Sequence, residues 1–247
     1  MYLKFQRSRA CVALGLSLLI LACTRPPTET PAQTVPTTST SAPRAPEVTT
    51  PLPVTSRVSA KSYRCNLVVG LAVTAEWFEA GFEEIVGNGR WQALVRPHTF
   101  VADWADPGHP AWSEPLRSAC DEAHNQPERV LFFAADWNYK NENEWITGLT
   151  ATVNAVRARY PSAREIQLLT MVRAPGNTSC GNAKSVVEPF VDQAMERVSA
   201  QFDGLVRVGP KFEVASCDWF EKGGPHFTES GRREVARLIG EHYGDDL

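Results

Sequence analysis

Short, nearly all-apolar segments recur along the chain from residue 66 onward. The clearest are Asn66–Leu71, Arg129–Ala135, Glu165–Met171 and Gly204–Val208. Continuous apolar runs of this length indicate strands buried on both faces, as in a parallel sheet. A further strand is predicted within Ala93–Val101, although Pro97 interrupts that segment.

Between these strands, apolar residues repeat at the three- or four-residue spacing of a helix. The segments are Thr74–Gly87, with Thr74 as a predicted N-cap, Glu144–Tyr160, Ser185–Phe202 and Thr228–Tyr243. Alternating strands and helices predict an α/β fold, a doubly wound parallel sheet flanked by helices in a flavodoxin-like three-layer sandwich. Ligands of such folds bind beyond the carboxyl ends of the strands.

The N-terminus predicts an export signal. Three basic residues precede the apolar run Ala10–Cys23, which is too short to cross a bilayer core of about 30 Å. The end of the run, Ile20–Cys23, resembles a bacterial lipobox, which implies cleavage before Cys23 and acylation of that residue. Thr24 follows, where an Asp would favour the inner membrane, so an outer-membrane anchor is expected in a Gram-negative host. An ordinary signal peptide with a chance cysteine is the alternative.

The predicted signal peptide covers residues 1–22 and is followed by a tether. Residues 23–59 are dense in Pro and Thr and almost free of large apolar side chains. Such a segment buries too little surface to offset its ordering entropy. The folded domain is therefore predicted over residues 60–247.

Four cysteines fall within the predicted domain: Cys65, Cys120, Cys180 and Cys217. An even number in an exported domain indicates two disulfides, and no two lie at the CxxC spacing typical of zinc sites. Four cysteines permit three connectivities. We favour Cys65 with Cys120 and Cys180 with Cys217, because the second pair would join two loops that follow late strands.

Charge and motifs exclude several function classes. The net charge of −3 gives no basic field for nucleic acid. The sequence has no phosphate-binding loop, no dinucleotide glycine fingerprint and no spaced metal-ligand set, so no cofactor and no metal is expected. We expect a monomer.

The loops after the predicted strands are rich in tryptophan. Trp104, Trp137 and Trp219 are candidates for stacking on a glycan ligand, since indole rings pack well on sugar faces. Tryptophans that simply fill the interior are the alternative interpretation.

The order of elements, with "GLAVT" after the first strand and "GGPHFTESGRREVARLI" near the end, resembles the SGNH or GDSL hydrolases over Asn66–Tyr243. That family has Asp-Gly-x-His-hydrophobic-Thr-x-x-Gly in its C-terminal block. Gly224, His226, Thr228 and Gly231 match this pattern. The resemblance implies an ester hydrolase in which His226 is the catalytic imidazole.

The resemblance fails at the nucleophile. Gly70, Leu71 and Ala72 stand where the family has Gly-Asp-Ser, so the attacking hydroxyl is missing at Ala72. The family's aspartate three residues before the histidine is replaced by Gly223. The third block carries Asp136 and Asn138, and either residue is a candidate for the oxyanion site or the cleft, as is Gly70.

Three substitutes for the missing groups follow from the sequence. Thr74 could attack in place of the serine, and Asp218 could orient His226. Alternatively, water could attack with His226 or Asp136 as general base, while Asp103, Asp106 or His109 grips the substrate or a metal. A purely structural role for His226 is the remaining interpretation.

Two functions are therefore expected from the sequence. The first is a membrane-anchored hydrolase-family lipoprotein of the bacterial cell envelope that acts on acylated glycan or envelope material with an altered catalytic set. The second is a pseudoenzyme that binds a glycan or cell-wall component through its loop tryptophans. In both, the bilayer is a partner through Cys23.

Overall fold

A computed structural model describes residues 63–181 and 185–244, and all of them belong to the second of two units in the chain, Thr55–Leu247. The predicted signal peptide, the predicted lipidation site Cys23 and the predicted tether lie outside the described residues.

Five parallel strands form one sheet in the order β2-β1-β3-β4-β5. They are β1 (Asn66–Gly70), β2 (Trp91–Val95), β3 (Arg129–Ala134), β4 (Glu165–Thr170) and β5 (Val206–Val208). Strands β1 to β3 are buried along their whole length, as the continuous apolar pattern predicts for β1 and β3. The predicted doubly wound parallel sheet is confirmed, with the strand order of flavodoxin.

Helices cover both faces of the sheet. They are α1 (Ala72–Trp77), α2 (Glu83–Val86), α3 (Val101–Trp104), α4 (Glu142–Arg159), α5 (Pro189–Gln201) and α6 (Glu229–Tyr243). α1, α2 and α6 pack together on one face, and α3, α4 and α5 on the other. Alternate strand residues pack into the two hydrophobic cores on either side of the sheet. Val68 and Leu131 belong to the core under α1, α2 and α6, and Leu67 and Val130 to the core under α3, α4 and α5.

Several predicted boundaries are wrong. The first helix begins at Ala72, so Thr74 lies inside it and is not its N-cap. It does not run on to Gly87 either, because Gly81 adopts a φ of 105° and breaks the helix between α1 and α2. β2 ends at Val95, before Pro97, and α5 begins at Pro189, whose ring suits the first helical turn.

Both predicted disulfides are present. Cys65 and Cys120 are joined with a Cα–Cα distance of 5.8 Å, and Cys180 and Cys217 with 5.2 Å. The first pair is buried and ties the start of β1 to the loop before β3. The second links the loop after β4 to the 3-10 turn Cys217–Trp219, as expected for two loops at the carboxyl edge.

Candidate functional site

The strand order places a topological switch point between β1 and β3. The chain leaves β1 toward β2 on one side, then returns and continues from β3 to β4 on the other side. Loops on either side of such a point diverge and leave a crevice at the carboxyl edge. Ala72 and the start of α1 follow β1 at this edge, and Asp136 follows β3.

Thr74 faces the protein interior. Its side chain is 2% exposed, and a Cβ at Gly70 would lie 2.3 Å from the Thr74 hydroxyl oxygen. The hydroxyl is therefore packed directly against the end of β1, and Gly70 is required there by this close approach. A threonine in this position lacks the open path to substrate that a nucleophile needs.

The imidazole of His226 is paired with Glu76. Nδ1 lies 2.5 Å from Glu76 Oε1, and the backbone N–H of Phe227 donates to Oε2 at 3.0 Å. The Arg232 guanidinium lies 3.5 Å from the same Oε2. The Glu76 side chain is 13% exposed and that of His226 is 44% exposed, so a mostly buried carboxylate holds an imidazole that reaches solvent.

The turn that carries His226 is built by backbone contacts. Gly223 has a φ of 80°, which favours glycine, and Glu221 N donates to His226 O at 2.8 Å. After the histidine, Thr228 caps α6 by accepting from Gly231 N at 3.1 Å. A Cβ at Gly231 would lie 2.1 Å from Trp219 O, so this glycine lets α6 approach the preceding loop. The C-terminal segment that resembles the hydrolase family thus forms a tight turn followed by the first residues of α6.

Asp218 is not the partner of His226 in this structure. Its carboxylate accepts from the Ser216 hydroxyl at 3.1 Å on an exposed turn, while the imidazole is bound by Glu76. Sequence reasoning missed Glu76. The signal that could have found it is its spacing, four residues after Ala72 on the same face of α1.

The Asp136 carboxylate connects the loop after β3 to the start of α3 through hydrogen bonds. Oδ2 accepts from Ala102 N at the start of α3 at 3.2 Å, and Oδ1 accepts from Asn138 N at 2.8 Å. Both carboxylate oxygens therefore serve backbone N–H groups, which suits a structural anchor better than a general base. Asn138 itself is exposed.

An open cleft of about 460 Å³ lies at the carboxyl ends of β3 and β4. Four aromatic side chains line it, Trp137, Tyr139, Trp145 and Phe190, with the polar residues Asp136, Lys140 and Glu188. Its volume falls in the range usual for small-molecule sites. This cleft lies toward β4, whereas Glu76 belongs to α1, beyond β1.

The three candidate stacking tryptophans occupy different environments. Trp104 is 1% exposed and packs edge-on against Trp112 at 4.8 Å between ring centroids, which leaves no face for a ligand. Trp219 is partly buried beside α6. Trp137 is partly buried and lines the cleft. Of these three, only Trp137 lies at the cleft.

A second, much smaller cavity is lined in part by residues of the C-terminal block. Thr74, Phe133, Pro225 and Phe227 line it together with Met171. Met171 also lines the aromatic cleft. Met171 is thus shared between the cleft and a cavity lined by Pro225 and Phe227, the residues that flank His226.

Metal-binding potential is low across residues 63–181 and 185–244. In that part of the chain no three His, Cys, Asp or Glu residues are grouped so as to hold an ion. His109 Nε2 lies 3.6 Å from Asp103 Oδ1, a two-residue contact near α3.

Within residues 63–181 and 185–244, no helix is long and apolar enough to cross a bilayer.

No protein-family model matches the sequence, and no curated protein matches it.

Proposed function

We propose that this chain is a lipid-anchored protein of the bacterial cell envelope whose SGNH-hydrolase-like domain binds a glycan or another envelope component without hydrolysing it. The observation that carries the proposal is the pairing of His226 with Glu76 while position 72 is alanine. A histidine and carboxylate pair activates a hydroxyl only if one is present. The nearest hydroxyl on α1, that of Thr74, is packed against Gly70 in the interior.

The contacts of Glu76 support a positioning role for the pair. Its carboxylate accepts from the backbone of Phe227 and lies beside Arg232, so it joins α1 to the turn before α6. Such a charge-assisted connection fixes the carboxyl-edge loops in one arrangement. A rigid edge is what a binding site needs.

Ester hydrolysis by activated water is the second candidate. It is favoured by the exposed side of the imidazole: within the described residues, His226 Nε2 has no hydrogen-bond partner, and 44% of the side chain is exposed. With Nδ1 held by Glu76, Nε2 is the nitrogen that would take a proton from water.

Ester hydrolysis by the purified protein separates the two candidates. p-Nitrophenyl acetate and acetylated xylan are suitable substrates, with His226→Ala and Thr74→Ala as variants. We expect no turnover above background by the wild type and both variants. Turnover that is lost in His226→Ala and kept in Thr74→Ala would instead support water attack. Loss in both variants would identify Thr74 as a nucleophile and overturn the proposal.

A further inference from the structure

The aromatic cleft is the feature of this molecule best suited to a ligand. Its walls come from three places: the loop after β3 supplies Trp137 and Tyr139, α4 supplies Trp145, and α5 supplies Phe190. Trp137, Tyr139 and Phe190 are each only partly buried. Partly exposed aromatic rings grouped in a concavity keep apolar surface in contact with water, and a ligand that covers it is stabilised.

The rings of the cleft are held in place by their neighbours. Trp137 packs edge-on against Phe100 at 4.9 Å between ring centroids, and Tyr139 packs edge-on against Trp145 at 5.9 Å. Tyr139 also lies over Gly148, where a Cβ would come within 2.6 Å of its ring. Little side-chain entropy is therefore lost when a ligand stacks on these rings.

Polar groups of both charges surround the rings. Asp136 is 6% exposed, and both its oxygens accept backbone N–H groups. Lys140 Nζ donates to Trp137 O at 2.6 Å, and Glu188 is exposed at the start of α5. Two carboxylates and one ammonium give no positive field to attract an anion. They do offer hydrogen-bond donors and acceptors around an apolar floor.

Tyr139 adds a neutral donor to the cleft. Burial and the carboxylates of Asp136 and Glu144 raise the pKa of its hydroxyl above the usual range. The hydroxyl therefore stays protonated at neutral pH.

We propose that this cleft binds a neutral saccharide, with Trp137 as the stacking platform and with Lys140 and Glu188 facing its hydroxyl groups. A sugar ring has an apolar face of C–H groups and a rim of hydroxyls, which matches aromatic rings surrounded by donors and acceptors of both signs. This inference rests on the proposed binding function and names the class of ligand and its site.

Calorimetric titration of the purified full chain tests the assignment. The probes are cellotriose and tri-N-acetylchitotriose as neutral saccharides, trigalacturonate as an anionic one, and decanoate as an acyl chain. We expect at least one neutral trisaccharide to bind and Trp137→Ala to weaken that binding roughly tenfold. Trp219→Ala is the matched control, a partly buried loop tryptophan outside the cleft, and should bind as the wild type does.

Three results would overturn the saccharide assignment. They are binding of decanoate or trigalacturonate in preference to both neutral probes, no binding of any neutral probe by the folded chain, and equal weakening in Trp137→Ala and Trp219→Ala. The Phe190→Ala variant provides a second check if Trp137→Ala unfolds, and it should also weaken binding. If only the saccharide assignment is wrong, the esterase assay still shows no turnover. If the proposed function is wrong, that assay shows turnover, so the two failures can be distinguished.

Discussion

Glu76 and His226 are 150 residues apart in the sequence and lie 2.5 Å apart between Oε1 and Nδ1. The contact joins the helix after the first strand to the turn before the last helix. Because Oε2 of the same carboxylate accepts from Phe227 N, Glu76 holds both the imidazole and the backbone beside it. The pair therefore links α1 to the turn before α6 at the carboxyl edge of the sheet.

Replacing Glu76 should destabilise the domain. Glu76→Ala leaves the Phe227 N–H and the imidazole without their acceptor, and we expect unfolding to become easier by about 1–3 kcal/mol. Urea denaturation followed by tryptophan fluorescence measures this. Glu79→Ala is the control, since its exposed pair with Arg117 should contribute less than about 1 kcal/mol. Equal losses for the two variants would show that the Glu76 contacts do not stabilise the fold.

A hydroxyl restored at position 72 should create activity. Ala72 and Glu76 lie one helical turn apart on the same face of α1, so a serine there would project toward the side that holds His226. We expect Ala72→Ser to hydrolyse p-nitrophenyl acetate about 10²-fold faster than the background rate of the wild type, at the lower end of general-base contributions. The increase should vanish in Ala72→Ser with His226→Ala. An unchanged rate in a folded Ala72→Ser protein would contradict the resemblance at this position.

Stability should fall in acid through Glu128. Burial would raise the pKa of Glu128, but hydrogen bonds from Arg64 and Arg164 outweigh it and lower the pKa to about 2. A carboxylate with a lowered folded-state pKa contributes stability above its unfolded pKa of about 4.5, and this contribution is lost as pH falls from there toward 2. Both arginines are largely exposed, which limits the contribution to about 1–2 kcal/mol.

Glu128→Gln is the variant that tests this. Its free energy of unfolding should change less between pH 5 and pH 2.5 than that of the wild type, by roughly the 1–2 kcal/mol given above. Equal acid sensitivity in the two proteins would assign the loss to other carboxylates.

The two disulfides should differ in their response to reductant. Cys65 and Cys120 are buried, whereas Cys217 is exposed and Cys180 partly so. We expect a mild thiol to reduce Cys180–Cys217 first in the folded protein, because exchange requires access to a sulfur. Alkylation and peptide mass spectrometry give the order. Simultaneous reduction of both bonds would contradict the expected order.

Removing Cys65–Cys120 by paired serine substitution should lower the free energy of unfolding by about 4 kcal/mol for its 55-residue separation.

The sheet could be predicted because its central strands are mostly apolar. Val68 in β1 and Leu131 in β3 sit in runs that are buried along their whole length, and such runs fit between two layers of helices. The break at Gly81 was not predictable, since the helical pattern of Trp77, Phe78 and Phe82 continues across it. Those three rings pack on each other through the break, so core packing rather than periodicity sets the backbone there.

The candidate site was predictable in place but not in detail. The loops at the carboxyl edge follow from the parallel topology, and His226 and Trp137 do lie on them. The partner of His226 lies 150 residues away, so only the helical spacing of Glu76 from Ala72, and no pattern around His226 itself, could have indicated it. Likewise, Trp104 and Trp137 both occur in polar segments that follow predicted strands, and the packing of Trp112 against Trp104 shows that Trp104 belongs to the interior.

Met171 lines both the aromatic cleft and the small cavity beside Phe227. Its methyl group is therefore a natural spectroscopic reporter, sensitive to a sugar on one side and to movement of the histidine turn on the other. The chain has three methionines, and Met195 is buried on α5 without lining the cleft, so its methyl group provides a second resonance for comparison. A ¹³C-methyl spectrum of the unmodified protein thus registers occupancy and loop rearrangement at one resonance, without an introduced label site.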